Sequence, residues 1–292
     1  MLNIAIPKGS LEDQTLKLFE AADLTVRRNS DREYNATIRD PRIGKVKIIR
    51  PQEIPKYVEE GYFDLGITGL DWVKETGADV AEIAELCYSK TQQDKKVKIV
   101  LAVSEDAGIS DSKRIKPGSR ISTEYPNLTK EYFKKLGIPV RVDLSYGATE
   151  AKVPEMAEGV VEITETGSTI RSHGMKIIST LLESSTKLVA NKRSYADPKK
   201  RVEIEEIKTL LVGALSARTK VWIKFNIQEK KLKDVVSALP AMKAPTVSKL
   251  VKRGYCAVDT VVNRSEINML IPLLKKLGAE DILEFPISKI IE

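Results

Sequence analysis

Val46-Lys47-Ile48-Ile49-Arg50-Pro51-Gln52-Glu53-Ile54-Pro55-Lys56-Tyr57-Val58-Glu59-Glu60-Gly61-Tyr62-Phe63-Asp64-Leu65-Gly66-Ile67-Thr68-Gly69 reads as strand, helix, strand. Val46–Ile49 is a short apolar strand, Gln52–Glu60 a helix closed by Gly61, and Tyr62–Ile67 a second strand ending in Thr68-Gly69. Strands joined through a helix are the unit of parallel sheets. The pattern extends both ways. Leu2–Ile6 reads as a strand and Pro7-Lys8-Gly9-Ser10 as a loop. Ser10 is placed to cap a helix from Leu11 to about Ala22, with Asp13 in a capping-box-like position. Glu82–Cys87 and Lys96–Val103 continue in the same style. The class is α/β, with a mainly parallel sheet covered on both faces.

A second unit follows. Arg120–Thr123 is strand-like, Leu128–Leu136 a helix stopped by Gly137, Val140–Leu144 a strand, and Tyr146–Glu150 opens a further helix. Then comes Val160-Val161-Glu162-Ile163-Thr164-Glu165-Thr166-Gly167-Ser168-Thr169-Ile170, a buried strand carrying two carboxylates and breaking into a loop that opens a helix. Hydroxyls and backbone N–H groups at such a turn suit a phosphate, helped by the helix dipole. Glu162 and Glu165 would repel phosphate and instead suit sugar hydroxyls, so the segment points to a phosphorylated ribose. Thr186–Ala190 is one more strand and Asp197–Ala217 a long helix. From Lys220 the order is strand Val221–Ile227, helix Lys231–Leu239, strands Pro245–Val247 and Cys256–Val262, helix Ser265–Leu277 and strand Ile282–Phe285, a ferredoxin-like βαββαβ module. The expected divisions are residues 1–97 with 183–217 as one lobe, 98–182 as a second lobe, and 218–292 as a separate C-terminal domain.

Composition narrows the classes of function. The 292 residues carry 48 Lys and Arg against 41 Asp and Glu, a formal charge of +7 without a concentrated basic face. That argues against nucleic acid and is met as well by a small polyanionic substrate. No apolar run approaches the roughly 18 residues that span a bilayer, and no signal peptide is visible, so the expected location is cytoplasmic. Cys87 and Cys256 lie far apart and read as reduced core residues. The single histidine, His173, reads as a surface helix residue, which leaves neither a zinc site nor a catalytic triad.

Four loops fall past strand ends, where open α/β sheets bind ligands. They are Pro7–Ser10, with Lys8 as a point charge for phosphate; Asp64–Gly69; Thr123–Asn127; and Glu162–Thr169. Arg50, just after a strand, is a further candidate. Ile4-Ala5-Ile6-Pro7-Lys8-Gly9-Ser10-Leu11, Asp64-Leu65-Gly66-Ile67-Thr68-Gly69, Glu124-Tyr125-Pro126-Asn127-Leu128-Thr129 and Glu162 through Ile170 together resemble the long-form ATP phosphoribosyltransferases. Leu239 through Ser248 and Glu284-Phe285-Pro286-Ile287 extend the resemblance over nearly the whole chain.

The resemblance implies a two-lobed body like the periplasmic binding proteins, with the site in the cleft and a C-terminal regulatory domain. It implies transfer of a phosphoribosyl group from 5-phosphoribosyl 1-diphosphate to N1 of ATP, with magnesium, release of diphosphate and inhibition by histidine. It also implies a homo-oligomer, dimer or hexamer, acting without a separate regulatory subunit. On this reading Glu162, Glu165, Thr166, Gly167, Ser168 and Thr169 bind the ribosyl donor, and Lys8 and Glu162 are the catalytic candidates. Arg50, Gly66, Thr68, Gly69 and Tyr125 face ATP; Pro245, Thr246, Ser248 and Ala257 face histidine. Magnesium is held mainly by substrate oxygens, and no residue is assigned as a metal ligand. The family commonly has aspartates where this chain has Glu158 and Glu162. The competing reading is a non-catalytic two-lobed sensor of a small anion or amino acid.

Overall fold

The computed structural model describes residues 1–86, 88, 96–240 and 244–291. It divides into two compact units, Met1–Lys17 with Leu24–Lys208, and Leu18–Asp23 with the chain from Thr209 onward. The chain opens with β1 (Leu2–Pro7), β2 (Val26–Arg27), β3 (Asn35–Ile38), β4 (Ile43–Ile49), β5 (Leu65–Gly69) and β6 (Ala81–Leu86). Then follow β7 (Val97–Ser104), β8 (Arg120–Thr123), β9 (Arg141–Leu144), β10 (Gly159–Thr164), β11 (Met175–Ser184) and β12 (Thr186–Ala190). Helices between and after them are α1 (Glu12–Ala21), α2 (Ile54–Glu59), α3 (Leu70–Thr76), α4 (Pro126–Leu136), α5 (Ser168–Ser172), α6 (Lys192–Ala196) and α7 (Pro198–Arg218).

Two sheets build the first unit. The seven-stranded one has the order β2-β3-β4-β1-β5-β12-β6, and the five-stranded one β11-β7-β10-β8-β9. β1 is parallel to β4 and β5, and its Leu2, Ile4, Ala5 and Ile6 are fully buried, as a central parallel strand requires. Both sheets are nonetheless mixed. β12 runs antiparallel between β5 and β6, and β7 runs antiparallel to β10 and β11. β11 does not show in the sequence pattern, because register shifts between Ile177 and Ser179 and between Thr180 and Leu182 break its alternation. The segment after Tyr146, expected as a helix, forms only a 3₁₀ turn at Glu150–Lys152.

Helix ends follow local chemistry. α4 starts with Pro126 in its first turn and stops at Gly137, which is left-handed at φ +71°. At α1 the expected Ser10 cap is replaced: the Glu12 carboxylate reaches back to the Gly9 N–H at 3.1 Å and is itself paired with Arg28 at 2.7 Å.

The second unit carries β13 (Lys220–Gln228), α8 (Leu232–Ala238), β14 (Thr246–Lys249), β15 (Tyr255–Asn263), α9 (Ile267–Leu277) and β16 (Glu280–Pro286), a βαββαβ module with strand order β14-β15-β13-β16. Val221, Ile223, Phe225 and Ile227 alternate inward on β13 and pack with Val258, Val262, Leu270 and Leu274. The opposite face of the sheet stays exposed, with Trp222 and Phe285 in ring contact at 5.2 Å. Cys256 is buried against the Ile227 carbonyl. Cys87 lies outside the described residues.

Candidate active site

Parallel pairing of β1 with β4 places Pro7 opposite Ile49, and the Lys8 N–H donates to the Ile49 carbonyl at 2.7 Å. The loops after the two strands are thereby adjacent. Gly9 has φ +96°, and a Cβ there would stand 3.5 Å from Arg50 Nη1, so the Arg50 guanidinium lies over the glycine. Lys8 is half-buried; its Nζ donates to the Asp31 carbonyl at 3.1 Å and sits 4.9 Å from the Tyr34 ring centre. Ser10, Leu11, Pro51 and Gly69 from this sheet line a cavity of about 500 Å³.

The other wall is the segment after β10. Ile163, Thr164, Glu165, Thr166, Ser168 and Thr169 line the same cavity. Gly167 takes the left-handed φ of +73° that turns the chain into α5, and its N–H is held by Thr164 Oγ1 at 2.8 Å. Thr166 donates to Ser168 Oγ at 3.0 Å, and Arg171 Nη2 to the Thr166 carbonyl at 3.0 Å. α5 spans five residues, about one turn, so its dipole adds little and the hydroxyls with Arg171 supply the anion chemistry. His173 is exposed, with Nδ1 2.8 Å from the Thr169 carbonyl.

Glu162 faces a set of carboxylates. Burial pushes its carboxyl above the usual range, and the neighbouring Glu150 and Glu124 add to that, while hydrogen bonds from Thr149 and from the Ile163 N–H oppose it. Glu124 is raised too, by burial and then by Glu150. Such a crowded group gains from any hydroxyl donor that arrives.

Three residues assigned to ATP on sequence grounds are placed otherwise. Gly66 is buried in mid-sheet, and a Cβ there would meet Ile54 Cγ2 at 2.5 Å and Val58 Cγ2 at 2.8 Å, so its smallness serves the packing of α2. Thr68 is fully buried and donates to the Pro51 carbonyl at 2.8 Å. Tyr125 is 1% exposed, its hydroxyl donating to Asp71 Oδ2 at 3.0 Å and its ring stacked on Trp72 at 4.6 Å. None of the three is in the cavity lining, and neither are Lys8, Arg50, Glu162 and Gly167, each of which stands within two residues of a lining residue in sequence. Sequence reading had passed over Asp71, Trp72, Arg171 and Ser184-Ser185-Thr186. All of these except Arg171 line the cavity. The signal for Asp71 and Trp72 was available: a carboxylate and an indole immediately after a strand end.

In the second unit, Thr246 pairs across the ladder with Asp259, and Ser248 with Ala257. A groove of about 590 Å³ is lined by Trp222, Lys224, Ala244, Thr246, Asp259, Thr260 and Val261. Lys224 Nζ lies 3.7 Å from Asp259 Oδ1. Thr246 is thus gathered with a cation and an anion, whereas Pro245, Ser248 and Ala257 lie outside the lining.

Among the described residues no group of three or more His, Cys, Asp or Glu could hold a metal. Two carboxylates line the cavity, Asp71, whose oxygens accept from Ser184 and Tyr125, and Glu165 on the donor loop. A hard cation held largely by phosphate oxygens and water fits that donor set.

The sequence profile described as ATP phosphoribosyltransferase matches residues 50–213, and that of the HisG C-terminal domain matches residues 217–289. An ATP phosphoribosyltransferase of Desulforudis audaxviator is 43% identical over 290 residues, 99% of each chain. One from Chlorobium phaeovibrioides is 44% identical over 292 residues, covering 100% of this chain and 98% of the relative. Among solved structures, the ATP phosphoribosyl transferase (HisG:HisZ) complex from Thermotoga maritima superposes with a TM-score of 0.62 at 26% identity, over 73% of this chain and 96% of that one.

Proposed function

The chain belongs to the ATP phosphoribosyltransferase family, and from that premise we propose that the cavity lined by Ser10, Gly69, Thr166, Ser168 and Thr169 is where ATP and 5-phosphoribosyl 1-diphosphate react. The reaction is pentosyl transfer: a bond forms between N1 of the adenine and C1 of the ribose, and the C1–oxygen bond to diphosphate breaks. The observation that carries the assignment is the meeting of two anion-suited loops, one from each sheet, on one cavity.

The Thr166, Ser168 and Thr169 hydroxyls, the Gly167 turn and the cation of Arg171 receive the ribose 5-phosphate, and Glu165 and Glu162 accept from the sugar hydroxyls. Lys8 and Arg50 neutralise phosphate charge at the carboxyl ends of β1 and β4. ATP lies on the Ser10, Leu11, Pro51, Gly69 and Trp72 side. Displacement at the anomeric carbon spreads positive charge over C1 and the ring oxygen, so electrostatic placement and alignment carry the rate with little need for a proton relay. Magnesium, when bound, offsets the charge of the leaving diphosphate.

Histidine inhibition is assigned to the second unit. In the groove at Thr246, Asp259 would meet the ammonium of an amino acid and Lys224 its carboxylate. Exposed Trp222 and Phe285 on that sheet are further proposed to help copies of the chain assemble, as dimer or hexamer, and the regulation to need no separate subunit. Lobe limits at residues 1–97 with 183–217, 98–182 and 218–292 belong to the same proposal. Among the described residues no helix is long and apolar enough to cross a membrane, and we place the enzyme in the cytoplasm.

The test is absorbance of the N1 adduct during incubation with ATP, ribosyl donor and magnesium, with pyrophosphatase removing diphosphate. Steady adduct formation is expected. Its absence would leave the sensor reading in possession of the cavity.

A further inference from the structure

The joint beside the cavity holds more buried polar chemistry than packing needs. Asp71, Glu75, Tyr125 and Ser184 are 2%, 6%, 1% and 0% exposed. Asp71 opens α3, at the end of β5 in the seven-stranded sheet; Tyr125 caps α4, after β8 of the five-stranded sheet. Ser184 ends β11, where the chain passes back toward the first sheet. The Asp71 carboxylate accepts from Ser184 Oγ at 2.6 Å and from the Tyr125 hydroxyl at 3.0 Å. Ser184 Oγ accepts in turn from the Asp71 N–H at 3.0 Å. One turn along α3, Glu75 accepts from the N–H groups of Asn127 and Leu128, each at 2.9 Å, and its carbonyl accepts from Asn127 Nδ2 at 2.9 Å. Spacing of four residues puts Asp71 and Glu75 on one helix face, and that face holds the first turn of α4.

The network continues to the donor wall. The Tyr125 N–H donates to Thr123 Oγ1 at 2.9 Å, and Thr123 donates to the Val161 carbonyl at 2.7 Å. Val161 lies on β10, the strand that runs out into Thr166–Thr169. Gly69, Asp71 and Trp72 meanwhile line the opposite side of the cavity. A continuous set of buried hydrogen bonds therefore joins the acceptor wall to the strand that carries the donor loop.

We propose that Asp71, Glu75 and Tyr125 are positioning residues, a buried brace that keeps the acceptor wall in register with the ribosyl-donor loop. The inference rests on the transferase reading of the cavity. Bringing N1 and C1 within reacting distance depends on the relative placement of the two walls, and misplacement by about 1 Å can cost roughly a hundredfold in rate. Neither Glu75 nor Tyr125 lines the cavity, so neither needs to touch substrate to exert this effect. The brace works through hydrogen bonds rather than net charge. An amide at residue 71 can still accept from Ser184 and can donate to the Tyr125 oxygen, which keeps a contact there with its direction reversed and leaves the Tyr125 proton to find another acceptor.

The experiment compares full-length wild type with Tyr125→Phe, Asp71→Asn, Asp71→Ala and Glu75→Gln, using adduct kinetics and calorimetric titration of ATP. Tyr125→Phe keeps the stack on Trp72 and removes one hydroxyl. It is expected to lower kcat at least tenfold while KM for each substrate and the ATP Kd stay within about twofold. Asp71→Asn, which can still accept from Ser184 and still meet the Tyr125 oxygen, is expected to lose less kcat than Asp71→Ala, which can do neither. Glu75→Gln, outside the cavity lining, is expected to repeat the kcat-only loss and serves if Tyr125→Phe does not fold. Wild-type turnover in both Tyr125→Phe and Glu75→Gln would overturn the brace. So would a large rise in ATP Kd with kcat retained, which would make Tyr125 a ligand, or a hundredfold loss in Asp71→Asn, which would make its charge catalytic. Failure of the transferase reading shows separately, as wild type that forms no adduct.

Discussion

Gly66→Ala separates a packing role from a ligand role at a position where the two predict opposite readouts. The new methyl would stand 2.5 Å from Ile54 Cγ2, 2.8 Å from Val58 Cγ2 and 3.7 Å from Val189 Cγ2. Ile54, Val58 and Val189 are fully buried. Two contacts under 3.0 Å force Ile54 and Val58 off their rotamers or lift α2 from β5. Overpacking of this kind costs about 1–3 kcal/mol. Restricting the unfolded chain by replacing glycine offsets about 0.4–1 kcal/mol of that. The net loss is at most about 2.6 kcal/mol and about 1.3 kcal/mol at the middle of both ranges, or roughly 3–5 °C in Tm at about 2–4 °C per kcal/mol. The assay is a thermal melt followed by circular dichroism at fixed protein concentration, since assembly adds to apparent stability, together with KM for ATP. A lower Tm with an unchanged KM is expected. An unchanged Tm with a severalfold higher KM for ATP would refute the packing argument and return Gly66 to the nucleotide.

Further expectations concern each half of the chain. Thr169→Val, close in volume but without the hydroxyl, removes a hydrogen bond to a charged group worth about 1.5–3 kcal/mol, and raises the donor KM at least severalfold; unaltered kinetics in a folded variant would displace the phosphate from this loop. Glu162→Gln should raise Tm near neutral pH while lowering kcat/KM for the donor. Burial and the nearby Glu150 and Glu124 hold the Glu162 carboxyl above its usual range, so the native state binds more protons than the unfolded one and stability falls as pH rises through that interval. The variant loses this slope, and melts from pH 5 to 8 as steep as wild type would contradict it. Asp259→Asn should raise the histidine concentration for half-inhibition at least tenfold, and inhibition at wild-type concentrations would move the regulatory site away from the Lys224–Asp259 groove.

Much of the fold is legible in the sequence. The Val46–Gly69 segment forms strand, helix and strand with the expected limits shifted by a few residues, because its apolar periods are intact and Gly61 ends the helix. Thr166, Ser168 and Thr169 line the cavity, on a loop that Gly167, the glycine between the hydroxyl residues, turns into α5 at positive φ. What was illegible depends on residues distant in sequence. Gly66 and Thr68 resemble ligand-facing small residues until Ile54, Val58 and Pro51 are seen against them. Tyr125 reads as an exposed aromatic on a turn, and only the approach of α3 reveals its partner Asp71. β11 escaped because bulges destroy the alternation that identifies a strand, and Ser184 with it.

The antiparallel seat of β12 carries a consequence for how the chain assembles. Thr186 pairs with Gly69 on one side and with Leu86 on the other, so β5 and β6 are adjacent to a gap until the whole of β7 to β11 has been synthesised. The five-stranded sheet is continuous in sequence and can form as soon as it emerges. The seven-stranded sheet waits for its wedge, with long loop closure opposing it and an open strand edge exposed in the interval. During vectorial synthesis, the sheet begun first is therefore completed last, and the interval before β12 arrives is when nascent chains are most prone to pair with one another.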